Sequence, residues 1–335
     1  MNYVIPIVYP SAISIWLDSK YSYISDRYDQ YRERACSLPA NYVLPDAAVL
    51  QFLKEKNYVT EEPLTVRAET AAKRKQNSIL RSFVMDKIYP DKSFIKLETF
   101  KCRDDNNSSC TIYAACPELC FIHASKYLSL IELIKLGYDL CAIYIEDENE
   151  DYNHHSRKPV TSVERLRMFI DNAQGMEGVK KARRAIQYIG DNTNSPMETK
   201  LAILEFVPFS MGGFSIEQPE LNAEIFLSHE GAAIAGQKSL KCDAAWRRKK
   251  VAVEYDSNQT HLDVNQHKKD KRRSTALNLS GYKLFTITAA DMSDLQSVNN
   301  TFISLRKLLG MKPEIERVNR TNMERRKLLK YLRSF

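Results

Sequence analysis

Two short apolar segments that carry acidic residues constrain this chain more than any other feature of its sequence. Residues 242–246 and 251–256 are separated by the basic tetrapeptide 247–250. Their Val, Ala, Trp and Tyr content between turn-like residues predicts two β-strands joined by a tight turn. If the strands pair antiparallel about the centre of this turn, Asp243 lies directly opposite Glu254.

Crowded carboxylates on one sheet face have a chemical consequence. Opposed side chains lie about 5 Å apart, where like charges repel. Asp256 shares the face of Glu254, because strand side chains repeat every second residue. Such acids need a cation, or one of them must hold a proton. Oxygen-only ligands favour Mg²⁺ or Mn²⁺ over zinc. The alternative is that the acids form ion pairs with neighbouring Lys and Arg side chains.

A basic run follows the acidic strand, on a predicted helix over residues 263–279. Its cations are Lys268, Lys269, Lys271, Arg272 and Arg273. Positive charge beside carboxylates that hold a metal suits a phosphodiester substrate, because it attracts phosphate and neutralises charge that develops during reaction. A charge run can also be a solvated helix face. Its position next to the acidic strands favours contact with a nucleic-acid backbone.

The order of predicted elements indicates a mixed α/β (α+β) chain with two domains. Its 335 residues exceed one typical core and fit about two domains. Polar turn residues at 190–194 predict the boundary between an N-terminal α+β domain (1–190) and a second domain (191–310). Residues 311–335 predict a basic helical tail. The elements expected in the second domain are helix 195–207, strands 222–227, 240–246 and 251–256, helix 263–279, strand 282–287 and helix 291–309.

The acidic strands and the residues after them resemble a known family, the domain related to very-short-patch-repair endonucleases, a branch of the PD-(D/E)XK nuclease superfamily. The resemblance covers residues from about 193 to about 292 and implies a restriction-endonuclease-like α-β-β-β-α-β core. The first 190 residues more loosely resemble abortive-infection antitoxin-like regions fused to this domain, with a winged-helix-like start. The matching positions are Ser195, Pro196, Glu198, Cys242, Asp243, Trp246, Val251, Glu254, Asp256, His261, Lys269, Asp270, Arg273, Leu277 and Gly281.

The resemblance implies a metal-dependent endonuclease, with DNA the favoured substrate and defence against phage or mobile DNA as its setting. Asp243 and Glu254 are then the ligands of Mg²⁺ (or Mn²⁺). The superfamily pattern has Lys two residues after the second acid, where this chain has Asp256. His261 and Lys269 are therefore the candidates for activating water or stabilising charge. A DNA-binding regulator that keeps the fold without cleaving is the rival hypothesis.

Glu198 has two interpretations. It matches the additional acidic metal ligand of the superfamily. However, Ser195, Pro196 and Glu198 have the spacing of an N-cap, a first-turn proline and a capping-box acid, which alone explains the carboxyl group. One side chain can serve both purposes, so both interpretations stay open.

Composition adds weaker limits on location and partners. No run of about 18 apolar residues exists, so we expect no contact with a membrane. The N-terminus does not have the pattern of a secretion signal, and seven cysteines do not suggest a disulfide framework, which favours the cytoplasm. A net charge of +7 permits a polyanionic partner. The N-terminal domain is expected to recognise a target or a protein partner, and a homodimer is an alternative.

Overall fold

The structure is a computed structural model that describes residues 2–17, 33–39, 42–44, 64–68, 70–74, 80–84, 89–101, 108–146, 154–256 and 264–335. The chain divides into two compact units, Met1–Ile189 and Gly190–Phe335. Both units combine helices and strands, which confirms the mixed α+β class. Among these residues, no helix has both the length and the apolar character needed to cross a membrane.

The first unit contains a mixed sheet with the strand order β2-β5-β6-β1-β3-β4, and a separate antiparallel pair, β7 and β8. The strands are β1 (Asn2–Ile7), β2 (Ala35–Cys36), β3 (Leu64–Ala68), β4 (Leu80–Val84), β5 (Phe94–Lys101), β6 (Ser109–Ala115), β7 (Tyr144–Glu146) and β8 (His154–Ser156). The helices are α1 (Ser11–Leu17), α2 (Pro117–Ala124), α3 (Leu130–Cys141), α4 (Val163–Asn172) and α5 (Val179–Ala185).

The start of the chain differs from the winged-helix-like start that we expected. β1 is a central strand of the sheet, parallel to β6 and antiparallel to β3. Residues 4–8 are all buried. Continuous burial is typical of a strand covered on both faces, and this explains why the apolar N-terminal run is part of a core.

The second unit contains a sheet with the strand order β12-β11-β10-β9. β9, β10 and β11 are antiparallel, whereas β12 is parallel to β11. The strands are β9 (Glu220–Phe226), β10 (Ser239–Trp246), β11 (Val251–Asp256) and β12 (Lys283–Thr288). The helices are α6 (Pro196–Phe206), α7 (His229–Ala235), α8 (Val264–Leu279), α9 (Leu295–Leu308), α10 (Ile315–Arg320) and α11 (Asn322–Leu332). Helix α8 connects the parallel strands and buries Ala276 and Leu277 in a core with Cys242 and Ala252.

One helix of the second unit was missing from the expected order of elements. Helix α7 lies between β9 and β10, where the sequence analysis expected no element. The Ser228 hydroxyl accepts a hydrogen bond from the Gly231 amide at 3.1 Å and caps the helix start, while Gly236 ends it with φ of 72°. Ser228 is a local start signal and Gly236 a local stop signal. The seven residues between them are too few to show a helical period.

The C-terminal segment predicted as a basic tail packs onto the second unit as α10 and α11. The side chains of Leu328, Leu329 and Leu332 are buried, and Arg325 is fully buried. The chain approaches α11 closely at Gly212, where φ is 92° and an added Cβ atom would lie 2.8 Å from the Arg325 Cα atom. The segment is therefore part of the folded unit.

Candidate functional site

Asp243 and Glu254 lie on the neighbouring strands β10 and β11. The strands pair Ala244 with Val253 and continue in that register to Trp246. The paired register ends at Ala244 and Val253, and Asp243 and Glu254 are the next residues of the two strands beyond it. The Asp243 Oδ2 atom accepts a hydrogen bond from the Tyr255 amide at 2.7 Å, so this carboxylate is oriented by the partner strand.

The environment of Asp243 opposes its negative charge. Burial is the main cause that raises its pKa, and the charge of Glu254 adds to the effect. The Tyr255 amide and the guanidinium of Arg273 act in the opposite direction. Two acids that repel each other at a half-buried position form a place where an added cation would be stabilised.

Glu198 lies in the first turn of α6, and the predicted N-cap at Ser195 is confirmed, whereas the Glu198 side chain accepts from the Asn194 amide instead of the N-cap amide. Its amide donates to the Ser195 hydroxyl oxygen at 3.2 Å, its Oε1 atom accepts from that hydroxyl at 3.1 Å, and its Oε2 atom accepts from the Asn194 amide at 2.8 Å. Burial, followed by the charge of Asp243, raises the pKa of Glu198 to about 7. Glu198 therefore caps its helix and also lies within electrostatic range of Asp243.

Arg273 is the cation that the structure brings to this acidic cluster. Its Nε atom donates to the Glu254 Oε1 atom at 2.7 Å, and its Nη2 atom donates to the same oxygen and to the Lys241 carbonyl oxygen. Burial opposes the charged guanidinium, but the hydrogen bond and charge of Glu254 outweigh it and raise the pKa of Arg273. Arg273 was predicted to contact nucleic-acid phosphate, and the structure instead pairs it with Glu254. The ion-pair alternative therefore applies to this acid.

The remaining cations of α8 lie on the exposed part of the helix. The side chains of Lys268, Lys269, Lys271 and Arg272 are all exposed, and so they are accessible to a polyanion. Residues three and four apart are neighbours on a helix surface, so Lys269 lies one turn from Arg273. It is therefore the exposed cation of α8 that shares the face nearest to the acids.

The other sequence-predicted residues have different outcomes. Asp256 is exposed at the end of β11, opposite Thr288 of β12. His261 lies outside the described residues. The sequence analysis did not predict that Cys242 lies near the acids. Burial, followed by the charge of Glu254, raises the pKa of its buried thiol. Strand alternation places Cys242 and Asp243 on opposite faces of β10, so it does not predict that the charge of Glu254 acts on both.

The site fits a hard divalent cation only in a limited way. No group of three or more His, Cys, Asp and Glu side chains is arranged to hold a metal ion in the described part of the chain, so Glu198 does not complete a three-ligand group. Mg²⁺ commonly uses one or two carboxylates, water molecules and substrate phosphate oxygens. Asp243 and Glu254 supply such a pair of carboxylates, and the Arg273 contact shows that this place attracts positive charge.

Comparison of the chain with protein-family models, curated proteins and solved structures found no match. The function is therefore inferred from the arrangement of the site itself. Three acids come from three separate elements, α6, β10 and β11, and a row of exposed cations follows on α8.

Proposed function

We propose that the second unit is a metal-dependent endonuclease with a restriction-endonuclease-like core, and that DNA is its favoured substrate. The main support is that the charge of Asp243 acts on Glu198 and the charge of Glu254 acts on Asp243, next to the exposed cations of α8. Phosphodiester hydrolysis needs both features, because carboxylates hold the metal and a basic surface holds the polyanion. Defence against phage or mobile DNA is the proposed setting, with the first unit selecting the target or a partner.

Each residue has a defined role in this proposal. Bound Mg²⁺ or Mn²⁺ supplies a Lewis acid and a water of lowered pKa. Asp243 and Glu254 would hold the ion, and the Tyr255 amide keeps the Asp243 carboxylate in one orientation. Lys269 is the proposed charge-stabilising group, since Asp256 stands where the superfamily pattern has Lys. Lys268, Lys271 and Arg272 would contact the phosphate backbone and contribute binding that is independent of base sequence. Arg273 does not share this role in the metal-free protein, because it forms an ion pair with Glu254.

Substitution of the paired acids tests the proposal directly. Asp243→Asn and Glu254→Gln should each lower Mg²⁺-dependent nicking of supercoiled plasmid by at least about 100-fold, because the charge that holds the ion is lost. Glu224→Gln is the control, since Glu224 is an exposed acid on the neighbouring strand β9. Nicking at the wild-type rate by either site variant would contradict the proposed metal site. EDTA should abolish nicking by the wild-type protein.

The second candidate function is nucleic-acid binding without cleavage. Two observations favour it: the Arg273 guanidinium neutralises Glu254, and the described residues contain no three-ligand group for a metal ion. A protein of this kind would bind plasmid DNA while leaving it supercoiled in Mg²⁺, in Mn²⁺ and in EDTA alike. The same nicking assay, combined with a binding measurement, therefore separates the two functions.

A further inference from the structure

The Arg273 guanidinium makes the closest cationic contact with the acidic cluster. Two of its nitrogen atoms donate to a single oxygen, Oε1 of Glu254, and one of them also reaches the Lys241 carbonyl oxygen. The other acids of the cluster, Asp243 and Glu198, approach from β10 and α6. A divalent cation bound by Asp243 and Glu254 would therefore lie close to the Arg273 guanidinium.

A guanidinium and a divalent cation compete for the same pair of carboxylates. Each neutralises the same negative charge, and the two cations repel each other at short range. The Arg273 side chain is 32% exposed and that of Glu254 is 20% exposed. The guanidinium can therefore leave Glu254 for solvent without crossing a packed core.

We propose that Arg273 takes the place of the divalent cation in the metal-free protein, and that it leaves Glu254 when the ion binds. This inference rests on the proposed function. An arginine released beside the acids is well suited to hold the substrate, because a guanidinium binds phosphate oxygens with two parallel hydrogen bonds. Arg273 then acts as a positioning residue for the substrate, and the unproductive ion pair persists only while no metal is bound.

Metal affinity, measured without any substrate, tests the competition. Calorimetric titration with Mn²⁺ should show about five- to tenfold tighter binding by Arg273→Gln than by the wild-type protein, because the competing cation is gone. Arg248→Gln is the control: it removes an equal charge from an exposed position in the turn between β10 and β11, outside the proposed phosphate-binding surface, and should keep the wild-type affinity. Glu254→Gln should lose binding, which shows that the signal comes from this site. Thermal unfolding should give the same ranking, with Mn²⁺ raising the midpoint most in Arg273→Gln.

The outcomes separate this inference from the proposed function. Equal or weaker Mn²⁺ binding by Arg273→Gln, together with binding by the wild-type protein, would overturn the competition and leave the metal site intact. Failure of every variant and of the wild-type protein to bind Mn²⁺ would overturn both proposals. If Arg273→Gln does not fold, Arg273→Lys takes its place. Lys keeps the charge but not the forked geometry, so the proposal then expects an affinity above that of the wild-type protein.

Discussion

Arg273 and Arg325 are two arginines of the second unit that the sequence presents in the same way, as members of basic helical runs. Arg273 pairs with a carboxylate on β11, an inner strand of the sheet. Arg325 is fully buried, and its guanidinium donates to neutral oxygens, among them the Val318 carbonyl at 2.9 Å and the Asn299 Oδ1 atom at 3.0 Å. Burial lowers the pKa of Arg325 to about 10. One arginine therefore balances charge, whereas the other holds backbone oxygens of α10 and the preceding segments in place.

The difference teaches that a basic run is not by itself a binding surface. Arg306 of α9, like Arg325, is buried and donates to backbone carbonyl oxygens, at Phe214 and Ser215. These cations stabilise the fold and are inaccessible to phosphate. On α8, in contrast, four of the five predicted cations remain exposed. Burial thus decides which part of a run can bind a polyanion.

The largest expected effect is on stability at Arg325. Arg325→Met keeps much of the apolar volume but removes hydrogen bonds to the buried oxygens of Val318 and Gly213. The Val318 carbonyl keeps a hydrogen bond from the Thr321 hydroxyl, but Gly213 and the Asn299 Oδ1 atom lose their Arg325 donor. Buried acceptors that lose a donor cost roughly 1–3 kcal/mol each, so we expect the free energy of unfolding to fall by about 3 kcal/mol. Arg273→Met, the matched change at the half-exposed pair, should cost less than about 1 kcal/mol. Urea unfolding measures both changes. Equal losses in the free energy of unfolding would show that the two arginines contribute equally to stability.

The two glutamates of α6, Glu198 and Glu205, both have a raised pKa. Burial alone raises the pKa of Glu205 from 4.5 to about 8, so the folded protein holds a proton that the unfolded chain releases. Stability should therefore fall as pH rises between these two values. From about pH 5.5 to about pH 7.5 the share of Glu205 in this loss is roughly 2 kcal/mol, which Glu205→Gln should remove. The share of Glu198, whose pKa is raised to about 7, should remain in that variant. Denaturant unfolding at both pH values tests this, and an unchanged pH dependence in the variant would contradict it.

The exposed cations give a smaller effect, on binding. Replacement of Lys268, Lys271 and Arg272 together by Gln should weaken DNA binding by about tenfold and reduce the slope of log affinity against log salt by up to about 3, because fewer counterions are released. The control is the matched triple replacement on the exposed side of α11, at 326, 327 and 330. Point changes are needed there, since truncation would also remove the buried Arg325. An equal effect of the two triples would place phosphate contacts on α11 as well.

Local patterns of the site could be predicted from the sequence, whereas contacts between elements could not. The four-residue turn determines the register of β10 and β11, which ends at Ala244 and Val253 next to the two acids, and the spacing of Ser195 and Glu198 determines the helix cap. Both depend on a few adjacent residues. The contact of Arg273 with Glu254 joins a helix to a strand, and it depends on how α8 packs on the sheet. Burial of α10 and α11 likewise depends on tertiary packing, which the charge content of these segments does not indicate.

The smallest expected effect on stability separates the two roles of Glu198. A capping box accepts Glu or Gln at this position, because either side chain can accept a hydrogen bond from an amide at the helix start. Glu198→Gln should therefore change the free energy of unfolding by less than about 0.5 kcal/mol, whereas Glu198→Ala should cost about 1 kcal/mol. If Glu198 also supports the metal, the Gln variant should need more Mg²⁺ for half-maximal nicking, because a neutral amide is a poorer ligand for a hard ion. An unchanged Mg²⁺ requirement would show that Glu198 acts only as a cap, and the carboxylates of Asp243 and Glu254 would then suffice for the ion.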